Sequence, residues 1–401
     1  MERMYKKVYL TKKGELSVKD GHPWIYESDI KKADDIIDGD IVDIIGCKNQ
    51  YLGSGFYNSN SKIRVRLLSR NTNDKFDKSF FKRRIEYALK YRIMVMKDLN
   101  SFRVIYGESD ELPGLTVDKF NDILVVQILS LGIDIRRDMI LDALYEVMVE
   151  NHFQVSGIYL RCDVDIRIKE GLQEEKGWYE KIPHPDKTTV EIIENGIKYF
   201  VDFENGQKTG FFLDQKYNRL KVREISKEKT VLDCCTHTGS FAMNAYLGGA
   251  KEVVATDISD KALFDAQTNF NLNGMNIKTI QADIFELLRE LNNKKNKKYD
   301  MIILDPPAFT KSRKTIDSAL RGYEELNYLA LSIIPRGGIL VTASCSHFAS
   351  NELFKEAIRR ASVRAGVHLK EIIYSSASPD HPILLGVNET EYLKFYIFQV
   401  F

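Results

Sequence analysis

From about residue 191 onward, short apolar runs alternate with longer amphipathic stretches along the chain. The apolar runs predict buried strands at 231–233, 252–257, 279–280, 300–305 and 339–344, and a terminal strand at 392–401. The amphipathic stretches between them predict helices at 241–248 and 261–273. Strands that alternate with helices favour a parallel, doubly wound sheet, so an α/β Rossmann-like domain is expected here.

The first 72 residues have a different pattern. Gly and Asp turns separate short apolar runs, which predict strands at 7–10, 41–45, 51–56 and 63–68. Apolar and basic residues alternate in the last of these runs. One face of that strand is therefore expected to join a core while the other face presents Arg64 and Arg66.

The middle of the chain predicts a compact α/β segment. Its expected helices are 79–99, with Lys and Arg on the polar side, and 138–151; its expected strands are 103–106, 115–119, 123–131 and 157–161. The polar stretch 172–190 contains Pro183 and Pro185 and is expected to be a connection. The predicted domains are therefore 1–72, 73–190 and 191–401.

Composition narrows the class of protein. The chain has 401 residues, of which 44% are hydrophobic and 29% charged, as in globular proteins of more than one domain. It has no apolar run of membrane-spanning length and no apolar signal core behind its charged N-terminus, so we expect a cytoplasmic protein without a membrane partner. The five cysteines form no CxxC pair, so neither a disulfide framework nor a metal site is expected.

Charge is unevenly distributed. The net charge is only +1, but residues 51–100 hold 12 Lys and Arg against 4 Asp and Glu. Such a region is either a footprint for nucleic-acid phosphates or a solvated helix face. The candidate phosphate contacts are Arg64, Arg66, Lys82, Arg83 and Arg84.

An acidic residue ends or follows each of four successive predicted strands: Asp233, Asp257, Asp283 and Asp305. Taken singly, each is better explained as a helix cap or a turn residue than as a ligand contact. Ligands of open parallel sheets bind beyond the carboxyl ends of the strands, and four carboxylates at that edge favour a ligand site.

The first loop after these strands, 233–239, contains Thr238 and Gly239 but no G-x-G-x-x-G, which disfavours a dinucleotide. Asp257 lies 24 residues beyond Asp233, where a carboxylate can accept both hydroxyls of a ribose. Asp283 can accept from an adenine amino group, and Ile258 and Ile284 follow these two acids. An adenosine-containing cofactor is therefore expected.

These acids, with 305–307, resemble the ordered motifs of class I S-adenosylmethionine methyltransferases. Further segments resemble bacterial large-subunit rRNA methyltransferases of the RlmI type: 21–26, 112–118, 206–215 and 380–385. The resemblance spans nearly the whole chain. It implies an N-terminal PUA domain that binds RNA, a small central α/β domain, and a C-terminal domain that binds S-adenosyl-L-methionine and methylates cytosine C5 in 23S rRNA. In the segment 206–215, Gln207 and Phe211 are expected in a loop over the cofactor.

Methylation of cytosine C5 needs a nucleophile from the enzyme. C5 itself is only weakly nucleophilic until a thiolate adds at C6. Cys345 directly follows the strand 339–344, on the sheet edge that carries Asp305, and it matches the position of the nucleophile in RNA cytosine-5 methyltransferases. Asp305 is expected to bind the N3 edge of the base, and Phe309 to stack on an extruded base. On composition alone, Cys345 is better explained as a small buried residue, and its position beside Asp305 together with the resemblance favours catalysis.

Two other functions stay open. The segment 305–309 also resembles the Asp-Pro-Pro-aromatic tetrad of amino methyltransferases, although Ala308 intervenes before Phe309. Methylation of a guanine nitrogen is therefore an alternative, and an RNA-binding factor without catalysis is another. His347 is a base or a loop residue, and the residues do not distinguish a monomer from a homodimer.

Overall fold

The structure is a computed structural model that describes residues 5–294, 299–310 and 312–401. The chain forms two compact units. The first comprises residues 1–192, 201–211 and 379–390, and the second comprises 193–200, 212–378 and 391–401. Among the described residues, no helix is long and apolar enough to cross a membrane.

The N-terminal part of the first unit is a six-stranded sheet with one helix. Its elements are β1 (Lys6–Leu10), α1 (Lys12–Lys19), β2 (Trp24–Tyr26), β3 (Ile30–Ala33), β4 (Ile41–Ile45), β5 (Tyr51–Tyr57) and β6 (Ile63–Ser69). The strand order is β2-β6-β5-β4-β1-β3, with β1 parallel to β4 and the other pairs antiparallel. Apolar side chains such as Val8, Val42 and Val65 form its core.

The middle of the first unit is a second sheet with helices. Its elements are α2 (Lys78–Val95), β7 (Ser101–Tyr106), β8 (Leu115–Phe120), β9 (Ile123–Ile128), α3 (Leu131–Asp134), α4 (Arg137–Glu150), β10 (Gly157–Cys162), α5 (Ile166–Lys169) and β11 (Glu175–Trp178). The order is β11-β10-β9-β8-β7. The expectation that 172–190 is only a connection was wrong, because β11 pairs there with the edge of β10.

The hairpin β12 (Thr189–Glu194) and β13 (Ile197–Asp202) follows. The remaining elements belong to the second unit: α6 (Lys216–Ile225), β14 (Thr230–Cys234), α7 (Ser240–Leu247), β15 (Glu252–Asp257), α8 (Asp260–Leu272), β16 (Lys278–Gln281), α9 (Ile284–Asn293), β17 (Met301–Leu304), α10 (Ile316–Ile333), β18 (Ile339–Ser344), α11 (Asn351–Ala365), β19 (Leu369–Ser375) and β20 (Lys394–Val400).

The second unit is built on a seven-stranded sheet with the order β16-β15-β14-β17-β18-β20-β19. Strands β14 to β18 are parallel, and β20 runs antiparallel to both of its neighbours. Apolar residues of β14, β17 and β18 are fully buried, as expected of strands covered on both faces. This doubly wound α/β sheet confirms the predicted fold class, and the carboxyl ends of its five parallel strands meet at one edge.

Candidate cofactor and catalytic site

The loop between β14 and α7 lies at this edge and has an unusual backbone. Cys235 and His237 have left-handed φ values of 60° and 50°, and Gly239 has φ 80°. Non-glycine residues rarely adopt this conformation, and such residues are concentrated at ligand sites. The backbone N–H of His237 donates to the Asp257 carboxylate at 3.0 Å, so the first loop is tied to the end of β15.

Asp233, near the end of β14, is fully buried beneath this loop. Its Oδ2 accepts from the Thr236 hydroxyl at 2.6 Å and from the Ala242 N–H at 3.0 Å. Its Oδ1 is buried and has no hydrogen-bond partner among the described residues. Burial raises the pKa of Asp233 to about 7, and the nearby carboxylates of Asp305 and Asp257 act in the same direction. An unpartnered buried acceptor is costly unless a ligand supplies a donor.

The next two acids, Asp257 and Asp283, accept hydrogen bonds from backbone N–H groups of loops and of a helix start. Asp257 is half-buried, and besides the His237 N–H it accepts from the Ser259 N–H at 3.0 Å. Asp283 caps α9, since its Oδ1 accepts from the N–H groups of Phe285 and Glu286 at 2.8 and 3.1 Å. Asp283 is therefore a helix cap, which was one of the two interpretations of the sequence. Both of these capping hydrogen bonds are accepted by the same oxygen, Oδ1. Ile258 is 65% exposed beside the end of β15, and Ile284 is half-buried at the start of α9.

These residues fit S-adenosylmethionine, which carries a sulfonium, an α-amino group and an adenosine. The unpartnered Oδ1 of Asp233 can accept from a cationic donor, and the carboxylate of Asp257 lies at the tip of the neighbouring parallel strand. Thr238 and Gly239 complete the first loop; both are buried, and the Thr238 carbonyl accepts from Asn269. The carboxylates are thus brought to one edge of one sheet, as predicted.

Asp305 and Cys345 follow β17 and β18, which are adjacent parallel strands. The Asp305 Oδ2 accepts from the side-chain amide of Gln215 at 3.2 Å. The Cys345 Sγ lies 4.0 Å from the Pro306 carbonyl oxygen, the geometry of a weak S–H donor. Cys345 is half-buried. The loop of the Asp-Pro-Pro motif and the thiol are therefore in direct contact.

The thiols of the first loop have a different environment. Cys234 is fully buried and Cys235 is half-buried. Burial raises the pKa of both thiols, so both are protonated at neutral pH. This agrees with packing roles for the pair.

The structure adds polar residues to the site that sequence reasoning missed. Gln215 holds Asp305 and accepts in turn from Asn218 at 2.7 Å. The Tyr323 hydroxyl is 2.7 Å from the Ser346 hydroxyl, and the buried Lys394 donates to the Ser346 carbonyl at 2.7 Å. Gln215 is the last residue of the 206–215 signature, which was a usable signal. Lys394 lies 49 residues beyond Cys345 in an apolar strand, and only the strand pairing reveals it.

Phe309, the predicted stacking residue, is half-buried. Its ring lies 4.6 Å from the ring of Tyr323, and a Cβ at Gly322 would approach it to 3.0 Å. The ring therefore already packs against α10. Its role toward a base stays a prediction.

Gln207 and Phe211 belong to the first compact unit, where Gln207 is exposed and Phe211 is buried. Their contact with a cofactor stays a prediction. Phe212, in the second unit, packs its ring on His237 with centroids 5.1 Å apart.

Three of the signature segments meet in the first unit through one buried polar network. The Thr209 hydroxyl donates to the Asp118 carboxylate at 2.5 Å, and Arg103 binds both oxygens of Asp118 at 2.8 Å. The backbone N–H of Arg103 donates to Asp380 at 2.8 Å. The segments 112–118, 206–215 and 380–385 are thus held together by charge-assisted hydrogen bonds.

The predicted solvent-facing position of Arg66 was wrong. Strand β6 lies between β2 and β5, and Arg66 is only 8% exposed. Its guanidinium pairs with Glu108 at 3.1 Å and with Glu170 at 2.8 Å, and it lies over the Trp24 ring. Because a buried guanidinium needs such partners, Arg66 joins β6 to the middle of the unit and is not presented to a ligand.

The other predicted phosphate contacts also have carboxylate partners within the first unit. Arg64 pairs with Glu27, Lys82 with Glu146 and Glu150, Arg83 with Asp74, and Arg84 with Glu111. The local excess of positive charge in residues 51–100 is therefore compensated by acids from outside that segment as well as within it. Phosphate binding by these four stays a prediction.

Two known family models match this chain and identify the class of enzyme to which it belongs. Residues 177–387 match the model of the S-adenosylmethionine-dependent methyltransferase family, and residues 8–70 match that of the PUA-like domain. The chain belongs to this methyltransferase family, and S-adenosylmethionine is its cofactor.

The family can be narrowed further by full-length relatives. The ribosomal RNA large subunit methyltransferase I of Aeromonas salmonicida is 40% identical over 395 residues, covering 96% of this chain and 97% of that protein. The protein of the same name from Klebsiella pneumoniae is 35% identical over 405 residues, covering 100% and 99%. A solved structure from Streptococcus mutans, assigned as a SAM-dependent methyltransferase, is 20% identical with a TM-score of 0.82 and covers 98% of this chain and 99% of that one. It shows the shared fold.

Proposed function

We propose that this enzyme methylates C5 of a cytosine in large-subunit ribosomal RNA, with Cys345 as the nucleophile. One observation carries the proposal: the Cys345 thiol contacts the carbonyl of Pro306, directly after Asp305, at the edge where Asp233 holds an unpartnered buried oxygen. A thiol, a carboxylate and a cofactor-binding edge are the parts that this reaction needs.

In the proposed reaction, the Cys345 thiolate adds to C6 of the cytosine and forms a C–S bond. The electron pair displaced from the C5–C6 double bond makes C5 nucleophilic. S-adenosylmethionine, when bound, supplies an electrophilic methyl group. A base then removes the C5 proton, the double bond re-forms, and the thiolate leaves. Asp305 orients the cytosine by hydrogen bonding to its N3 edge, and Gln215 holds the Asp305 carboxylate in place.

Two observations support RNA as the substrate. The full-length relatives are named for methylation of large-subunit ribosomal RNA. The N-terminal six-stranded sheet matches the PUA-like domain, which the resemblance noted from the sequence associates with RNA binding. 23S rRNA is therefore the proposed partner.

The covalent step can be tested with a trap. RNA that carries 5-fluorocytidine should form a complex with the wild-type enzyme that survives denaturing gel electrophoresis, because a fluorine at C5 cannot leave as a proton does. Cys345→Ala should form no such complex and no 5-methylcytidine, while its affinity for S-adenosylmethionine in calorimetry stays within about twofold. Cys47→Ala, at an exposed cysteine of the first unit, is the matched control and should behave as wild type.

Full methylation by Cys345→Ala would refute the covalent mechanism. The Pro306 carbonyl, which faces the thiol, can also accept from an exocyclic amine, and this favours amine methylation as the second candidate. Nucleoside mass spectrometry of the methylated rRNA separates the two functions. A methyl label on a guanosine nitrogen would establish the second one, and a label on C5 of cytidine the first.

A further inference from the structure

Lys394 is a buried lysine beside the proposed nucleophile. It begins strand β20 and is only 2% exposed. In the antiparallel pairing of β18 with β20, Lys394 is the register partner of Ser344, the residue that precedes Cys345. The sheet therefore holds its backbone opposite the start of the loop that carries the thiol.

The side chain is anchored around that loop. The Lys394 Nζ donates to the Ser346 carbonyl at 2.7 Å and to the Tyr392 carbonyl at 2.8 Å. An ammonium has three donors, and these bonds use two of them. Ser346 follows Cys345 directly, so the residues on both sides of the thiol are bound by Lys394, one through the strand pairing and one through the side chain.

The segments that adjoin Lys394 carry several titratable groups. Cys345 and His347 lie in the loop after β18, Tyr323 reaches the loop from α10, and Glu391 precedes β20. No carboxylate of the described residues lies within 4.0 Å of the Lys394 Nζ, so backbone carbonyls are its only bonded partners there. Burial lowers the pKa of Lys394 to about 8, and negative charge on Cys345 and on Glu391 opposes this shift.

We propose that Lys394 is a positioning residue for the nucleophile, whose ammonium both fixes the loop through the Ser346 carbonyl and favours the ionised form of the Cys345 thiol. The inference rests on the proposed function for its significance. Its physical basis is independent of the substrate, because a buried cation and an adjacent thiolate stabilise each other's charge in a medium of low polarity. Since the thiolate is the reacting species, loss of the cation reduces reactivity at neutral pH.

The direct test measures thiol reactivity without RNA. The rate of Cys345 alkylation by iodoacetamide, followed by peptide mass spectrometry from pH 6 to 10, should have its midpoint at least one pH unit higher in Lys394→Met than in wild type. Alkylation at pH 7 should then be slower by about tenfold. Lys394→Arg keeps the charge and should restore most of the reactivity. Lys355→Met, at an exposed lysine of α11, is the control and should leave the profile unchanged.

A structural role alone would not move this midpoint in a folded variant, so superimposable profiles for Lys394→Met and wild type overturn the proposal. If Lys394→Met does not fold, the reciprocal measurement decides. Carbon-13 NMR of the lysine side chain in the full chain should show Lys394 titrating at lower pH in Cys345→Ala than in wild type, because the thiolate no longer favours the ammonium. An unchanged Lys394 titration also overturns the proposal.

The outcome is separable from that of the proposed function. If Cys345→Ala still methylates rRNA while Lys394 and the thiol remain coupled, the covalent mechanism fails and the coupling stands. If Cys345→Ala is inactive and the pH profile of alkylation is the same in Lys394→Met as in wild type, the covalent mechanism stands and this inference fails.

Discussion

At the scale of single residues, Asp233 has a position that the sequence predicts and a protonation state that it does not. Its place at the end of a buried strand predicted a cofactor contact, and the same burial changes its protonation. The structure leaves its Oδ1 without a partner and raises its pKa to about 7. Position along the chain identifies such a residue, whereas its charge state depends on side chains from several loops and could not be derived from the sequence.

Asp233→Asn tests this charge. S-adenosylmethionine brings positive charge, so the ionised carboxylate binds it better than the protonated acid. The wild-type affinity should therefore rise from pH 6 to pH 8, as Asp233 ionises near pH 7. Asp233→Asn should bind more weakly at pH 8 by about 1.5–3 kcal/mol, the usual value of a hydrogen bond to a charged group, and should lose the pH dependence. Calorimetry at three pH values measures both.

Asp260→Asn is the control for this experiment, because Asp260 is an exposed carboxylate in the first turn of α8. It should retain both the affinity and its pH dependence. A pH-dependent affinity that persists unchanged in Asp233→Asn would show that another group titrates.

At the scale of elements, the buried apolar runs predicted several strands at their observed bounds. The strands at 252–257 and 339–344 have the predicted bounds, because their buried apolar runs are enclosed by charged or turn residues. Helix α2 ends at Val95 and not at the predicted residue 99. No Gly or Pro follows Val95 to mark this end in the sequence, and the helix ends because the backbone of the buried Met96 is extended. No prediction covered α10 and α11, which pack on the core of the sheet.

The start of helix α7 gives a test of local packing. Gly239 precedes it with φ 80°, and a Cβ there would lie 2.4 Å from the ring of the buried Phe270. Gly239→Ala should lower the free energy of unfolding by about 2–4 kcal/mol, from the left-handed backbone and the overpacked ring together. Gly337→Ala is the matched control, because Gly337 has φ 87° but nothing within 4 Å of the added Cβ. It should cost only about 1–2 kcal/mol.

Urea denaturation of the two variants measures the difference. Equal losses of stability would mean that Phe270 moves aside without cost, so that the glycine is required only by its backbone conformation. Because Gly239 belongs to the cofactor loop, the same variant is expected to bind S-adenosylmethionine more weakly.

At the scale of the whole molecule, the sequence predicted three domains, and the three-part division stays a prediction. The first compact unit includes the six-stranded and five-stranded sheets together with 201–211 and 379–390. The bonds among Asp118, Arg103, Thr209 and Asp380 explain why these distant segments belong to it. Such contacts join residues up to 277 positions apart, and no local pattern encodes them.

Charge is also a property of the whole molecule, since the cations of residues 51–100 form ion pairs with acids elsewhere. A cation releases counterions on RNA binding only if its charge is not already compensated. Lys31 and Lys32 on the edge strand β3 are exposed, and no carboxylate of the described residues lies within 4.0 Å of either Nζ. Lys82 and Arg83, in contrast, pair with acids at 2.6 and 2.9 Å.

Two double variants, each of which removes two positive charges, therefore test which cations bind RNA. Lys31→Ala/Lys32→Ala should weaken binding to rRNA several-fold and flatten the plot of log affinity against log salt by about 1 to 2, the value for two phosphate contacts. Lys82→Ala/Arg83→Ala should change the slope by less than about 0.5, because phosphates gain little from cations that carboxylates already neutralise. Filter binding between 50 and 300 mM KCl measures both slopes. A larger change in the second variant would mean that RNA displaces Glu150 and Asp74 from their partners, and would restore the basic segment predicted from the sequence as the phosphate-binding surface.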